Sequence, residues 1–121
     1  MAGGTLTVNN GPISNNTAGT GSPDGDGGGI DNNEGTTTKI SNSTISGNHA
    51  SDDGGGIRNV ATLTLTNVTI TNNRADNQNN GDAPEVGGGI EQFPPGSVTF
   101  VNSHVFGNSP DNCAGTPSCP P

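Results

Sequence analysis

Apolar residues in this chain are sparse and evenly spaced, and their spacing carries the structural information. Four blocks align without gaps: TLTVNNGPISNN (5–16), TTKISNSTISGN (37–48), TLTLTNVTITNN (62–73) and SVTFVNSHVFGN (97–108). Their second position reads Leu6, Thr38, Leu63, Val98, and their fourth reads Val8, Ile40, Leu65, Phe100. The ninth reads Ile13, Ile45, Ile70, Val105. Residues two apart share a strand face, so positions two and four predict short strands with one inward face. No segment shows the three-to-four-residue period of an amphipathic helix.

Polar residues repeat as strictly. The sixth position is Asn10, Asn42, Asn67 and Asn102, and the twelfth is Asn16, Asn48, Asn73 and Asn108. One Asn per repeat at a turn predicts ladders of side-chain amides bonded from rung to rung. Gly-Gly-Gly-Ile occurs three times, at 27–30, 54–57 and 87–90. These glycines permit positive φ and close approach between rungs. A strand with two or three inward side chains cannot bury itself, whereas stacked strands share a continuous core. The predicted inward set also takes in Ile30, Ile57, Val86, Ile90 and Phe106. The expected architecture is all-β, a parallel β-solenoid of about four coils over 1–112, followed by a Cys/Pro-rich tail over 113–121.

This pattern resembles the repeats of bacterial right-handed parallel β-helix proteins. It is similar to those of polymorphic outer-membrane proteins and of the pectate-lyase-like superfamily. The resemblance rests on GGGI followed by T-L-T-L-T-N-x-T-I-x-x-N, and it runs from about Gly3 to Asn112. It implies a right-handed parallel β-helix in a secreted or cell-surface bacterial protein. The roles found on such folds include adhesion and polysaccharide cleavage, so the fold alone does not choose between them. The start of the chain falls inside a repeat, since Gly3-Gly4-Thr5 looks like the tail of a GGGI segment. That points to a piece of a longer solenoid, or to a rung that stacks end to end on another subunit.

Composition narrows the partners. Gly 21, Asn 18, Thr 15, Ser 10 and Pro 9 make up most of the 121 residues, aromatics are 2%, and the formal charge is −8. Three Lys and Arg against 11 Asp and Glu exclude phosphate-backbone binding, so nucleic acid is not an expected partner. No apolar run approaches the ~20 residues of a membrane span. The first residues lack the basic and apolar regions of a signal peptide. Cys113 and Cys119 are expected to form a local disulfide, which fits an oxidising compartment.

Candidate chemistry lies in the insertions between blocks, which differ in length: 17–26, 49–53 and 74–86. Such loops are where solenoids carry function. Asp24 and Asp26 precede the first GGGI, Asp52 and Asp53 the second, and Glu85 the third. With Asp31 they form an oxygen-rich, glycine-flanked set that suits Ca²⁺. Paired carboxylates are also what a glycosidase needs, and a lyase would use Arg58 as its base. Asp52, Asp53 and Arg58 are therefore the catalytic candidates. The structural alternative is a set of solvated turn residues, with Asp31, Arg58 and Glu91 as a charge ladder on an exposed strand. His49 and His104 fall in different positions with no second ligand at zinc spacing. No nucleophile elbow or phosphate-binding loop is present.

The expected function is structural or adhesive, with loops presented to extracellular polysaccharide or cell-surface protein. The alternative is a Ca²⁺-assisted or metal-free polysaccharide hydrolase or lyase. A third reading comes from the outward Thr-x-Thr array (Thr5, Thr37, Thr62, Ser97 and Thr7, Lys39, Thr64, Thr99). It resembles the flat faces of ice-binding solenoids, and open rungs could equally self-assemble.

Overall fold

The computed structural model describes residues 3–20, 25–76, 87–115 and 119–121, and within them the chain is entirely β and turn. The first coil supplies β1 (Thr5–Asn9), β2 (Pro12–Ser14) and β3 (Thr17–Ala18). The second supplies β4 (Ile30–Asn32), β5 (Thr37–Ser46) and β6 (His49–Ala50). The third supplies β7 (Ile57–Asn59), β8 (Thr62–Thr71) and β9 (Arg74–Ala75). The fourth supplies β10 (Ile90–Gln92), β11 (Ser97–Val101) and β12 (His104–Phe106), and β13 (Cys113–Ala114) opens the next.

Each element pairs in parallel with its counterpart one coil away, which defines a parallel β-helix. The long sheet runs β1-β5-β8-β11, with β2 on β5 and β12 on β8; a second sheet runs β4-β7-β10-β13, and a third β3-β6-β9. The block alignment is the hydrogen-bonding register. Thr5 pairs with Thr37, Thr37 with Thr62, and Thr62 with Ser97. A chain of one-sided strands has this as its low-energy arrangement, because identical rungs in register bury every inward apolar side chain against a like one.

The core is a single column of Ile30, Ile40, Ile45, Ile57, Leu63, Leu65, Val68, Ile70, Ile90 and Val105. Positions two and four point inward, as the alternation predicts, and position nine does so as well. Position seven also points inward. Val68 is buried in the core, and Ser43 and Ser103 are buried beside it with their hydroxyls bonded to Ser41 O (2.7 Å) and Val101 O (3.1 Å). The cause is the Asn at position six. Asn42, Asn67 and Asn102 adopt φ of 50°, 54° and 47°, a left-handed kink that shifts the inward face from even to odd positions.

Two residues of the expected core lie outside it. Phe106 is 48% exposed, because in β12 it follows the inward Val105 and alternation turns it out. Leu6 is 36% exposed, because β1 is the first described rung of the long sheet and has a neighbour on one side only. Val86 lies outside the described residues.

The GGGI corner shows why glycine is required there. Gly27, Gly54 and Gly87 have φ of 63°, 65° and 79°. A Cβ on Gly29 would lie 2.7 Å from Gly56 O, and one on Gly56 would lie 2.6 Å from Gly89 O. Those contacts are shorter than any carbon–oxygen packing distance, so backbone here passes directly over backbone.

At the far end the tail folds back on the last rung. Cys113 and Cys119 are disulfide-bonded, both pack against the core, and Val105 N donates to Pro120 O at 2.7 Å. β13 itself continues the second sheet through Ile90–Cys113 pairing. Replacing both cysteines by serine is expected to cost about 2 kcal/mol, the loop-closure term for so short a ring. A denaturant titration of the double variant against the wild type measures it.

Candidate functional site

The acidic residues converge on the corner between the third and second sheets, where the variable insertions enter the GGGI turns. Gly27 N donates to Asp53 O at 2.9 Å and Gly28 N to Gly54 O at 3.1 Å, so the corner backbones of successive coils stack in register. That stacking fixes the residues just before each GGG one above another. Asp26, Asp52 and Asp53 consequently come together, with one carboxylate oxygen of each within 4.8 Å of the others. Asp52 is buried, and Asp26 and Asp53 are half-buried. Asp24 and Glu85, which sequence placed in the same set, lie outside the described residues.

The second sheet adds the residue after each Ile. Asp31, Arg58 and Glu91 stand in register on β4, β7 and β10. They do not form the uniform exposed ladder that the sequence implies. Asp31 is exposed, Arg58 half-buried and Glu91 buried at 5% exposure. Arg58 turns towards the acidic corner. Its Nε lies 3.3 Å from Asp26 Oδ2, its Nη1 lies 3.3 Å from Asp31 Oδ1, and its guanidinium sits 5.3 Å from the Phe93 ring centroid. Asp31 thus joins the site only through Arg58.

Glu91 is the residue that sequence reasoning undervalued. Its carboxyl is pushed up to about 8, first by burial and then by the charges of Asp53, Asp111 and Asp26, with Arg58 pulling the other way. Its buried Oε2 accepts no hydrogen bond among the described residues. Asp111 enters from the chain after β12, where its Oδ1 accepts from Gly87 N and from Gly88 N, the latter at 3.3 Å. Its backbone stacks on Gly88, the middle glycine of the third GGGI corner, since Gly89 N donates to Asp111 O. Its only sequence signal was its nearness to Asn112, which itself extends an Asn ladder.

The ladders line the interior of the corners. At position twelve, Asn16 donates to Asn48 Oδ1 (3.0 Å), Asn48 to Asn73 (2.9 Å) and Asn73 to Asn108 (2.9 Å). At position six the amides are exposed, and Asn67 donates to Asn42 (3.1 Å), whereas Asn42 donates to Asn9 rather than Asn10. Asn102, kinked like the others, is likewise exposed. A third ladder, absent from the sequence reading, joins Asn32 to Asn59 (2.7 Å) and Asn59 to Gln92 (3.1 Å). Its signal was present two residues after each GGGI isoleucine.

Elsewhere, Asp76 bridges His49 Nε2 and Arg74 Nε, each at 2.7 Å. A cleft of about 260 Å³ lies at another corner, lined by Glu34, Thr36, Val60, Thr62 and Pro95 among others. Among the described residues no helix is long and apolar enough to cross a membrane.

The fold and its ladders define a parallel β-helix repeat protein. Residues 42–60 match the family model of the Chlamydia polymorphic membrane protein repeat, a stretch that runs from the Asn42 kink through the second GGGI corner to the end of β7. The matched repeat points to a surface or outer-membrane-associated protein. No curated protein and no solved structure matches the chain significantly.

Proposed function

We propose that this β-helix is a surface-displayed, non-catalytic module that presents its corner loops to extracellular carbohydrate or protein. The observation that supports the reading is the placement of sequence variability. The strands keep one register throughout, while the insertions 17–26, 49–53 and 74–86 each open with a two-residue strand of the third sheet and precede a GGGI segment in the chain. A rigid scaffold with its largest length variation on one side of the coil is the arrangement of a recognition surface. The polymorphic membrane protein repeat supports the surface location. The acidic corner suits recognition better than turnover. Arg58, the base a lyase would need, is held by Asp26 and Asp31 and covered by Phe93.

The test is a panel of neutral and acidic polysaccharides and extracellular-matrix proteins, scored for saturable binding and for release of reducing ends. Binding without release is expected. Shortening 77–86 to two glycines is expected to weaken that binding at least about tenfold, with the β-helix circular dichroism retained. Reducing-end release that stops in Asp53→Asn would overturn the non-catalytic reading. Silence of a folded protein across the panel would overturn the recognition reading.

A further inference from the structure

Six asparagines hold a positive φ among the described residues: Asn10, Asn15, Asn42, Asn67, Asn72 and Asn102. Three of them are followed two residues on by threonine, in Asn15-Asn16-Thr17, Asn42-Ser43-Thr44 and Asn67-Val68-Thr69. No other asparagine of the chain has Ser or Thr at that distance. Asn-x-Ser/Thr, with x other than proline, is the acceptor sequence for N-linked sugar. The fold sorts these three from the rest by exposure. Asn15, Asn42 and Asn67 are all exposed and all lie at left-handed turns. The buried asparagines Asn32, Asn48, Asn59 and Asn73 are followed at the same distance by Glu34, Ala50, Ala61 and Ala75. The three alanines are themselves buried, so the hydroxyl is missing where the amide is closed to an incoming sugar. Thr17 and Thr44 are exposed, and Thr69, half-buried, stands in register with Thr44 on the long sheet. The ladder does not block the amides. Asn67 Nδ2 donates to Asn42 Oδ1 at 3.1 Å, and Asn42 Nδ2 donates to Asn9 Oδ1 at 3.3 Å. A primary amide carries two N–H groups, so one can be replaced while the other keeps its bond.

We propose that Asn15, Asn42 and Asn67 are N-glycosylation sites, each accepting a sugar from an activated glycosyl phosphate donor. In the transfer, the bond from sugar C1 to the donor's phosphate oxygen breaks and the phosphate leaves with the electron pair. A bond forms from Asn Nδ2 to that C1, and the proton Nδ2 gives up passes to a base of the transferring enzyme. Nothing is oxidised or reduced. The attached sugar is bulky and solubilising, and it meets no core at these turns. Asn42 and Asn67 lie within β5 and β8, on the long sheet and away from the GGGI corner. Asn102 has the same kink and the same exposure, but His104 stands where Thr44 and Thr69 stand on the earlier coils. The fourth coil is therefore a natural control. The inference goes beyond the recognition role proposed above and does not depend on it.

The experiment isolates the full chain from the cells that make it, digests it, and maps every asparagine-containing peptide by mass spectrometry. Sugar is expected on Asn15, Asn42 and Asn67, and on none of Asn48, Asn73 or Asn102. The attached mass names the donor: a single hexose means a nucleotide-activated sugar, and a preassembled oligosaccharide means a lipid-linked one. Variants expressed in the same cells test the assignment without touching the asparagine turns. Thr44→Val, which keeps a β-branched residue on an exposed strand position, should lower the modified fraction at Asn42 at least about tenfold and leave Asn67 unchanged. Thr44→Ser should restore it, since the hydroxyl and not the methyl is required. His104→Thr should make Asn102 a new acceptor. Circular dichroism of each variant checks that the β-helix is retained. Three unmodified asparagines in the native protein would overturn the proposal. So would sugar that persists at Asn42 in Thr44→Val, since attachment would then not follow the Asn-x-Ser/Thr sequence.

Discussion

Replacing Asn73 by alanine is expected to cost about 3–5 kcal/mol. Asn73 is 1% exposed and sits in the middle of its ladder. Its Nδ2 donates to Ile45 O at 3.0 Å and to Asn108 Oδ1 at 2.9 Å, and its Oδ1 accepts from Asn48 N at 3.0 Å and Asn48 Nδ2 at 2.9 Å. Truncation removes four bonds and leaves their partners in a corner closed to water. Each buried group so orphaned costs about 1–3 kcal/mol, partly relieved where the partner keeps a second bond, as Asn48 Nδ2 does with Ile13 O. Asn67→Ala is the control from the exposed ladder. It loses a single solvent-facing amide bond and places alanine at φ 54°, for about 1 kcal/mol. Guanidinium titrations of the two variants measure the difference. Equal costs would mean that the ladder contributes through turn geometry and not through its hydrogen bonds.

The contrast between those two asparagines marks what the sequence made legible. Gapless alignment of the four blocks gave the register of the long sheet residue by residue, because the repeat imposes one pairing on every coil. It also gave the buried ladder through Asn16, Asn48, Asn73 and Asn108. It could not distinguish a buried from an exposed Asn column, since both repeat once per coil. It missed Val68 because a strict two-residue alternation places position seven outward, and only the φ of Asn67 reverses the face. The acidic corner was half legible. Asp26, Asp52 and Asp53 share the signal of preceding GGG. Asp111 precedes no GGGI and reaches the corner by the return of the chain after β12. Glu91 read as a surface charge because its neighbours in register, Asp31 and Arg58, are a polar pair. Its burial arises from the last coil and the returning chain closing over β10, which no local pattern encodes.

That burial makes the stability of the protein fall with rising pH. The Glu91 carboxyl titrates near 4.5 in the unfolded chain and near 8 in the fold. Between those values the folded state holds a proton that the unfolded state has released. Stability from this group is therefore complete below about pH 4.5 and is lost as pH climbs through about 8, by up to about 5 kcal/mol. The groups that set the shift besides burial are Asp53, Asp111 and Asp26, which oppose ionisation, and Arg58, which favours it. Ordinary acidic proteins behave the other way over the lower part of this range, because carboxylates paired in the fold gain stability as they ionise. Glu91→Gln keeps the shape and removes the titration. Its unfolding free energy should be nearly flat from about pH 6 to pH 9, and at pH 9 the variant should be more stable than the wild type. Chemical denaturation at a series of pH values reads both curves. If the wild type loses no stability over that interval, Glu91 is not held neutral by its surroundings. The corner then already provides a counter-charge for its carboxylate within the protein.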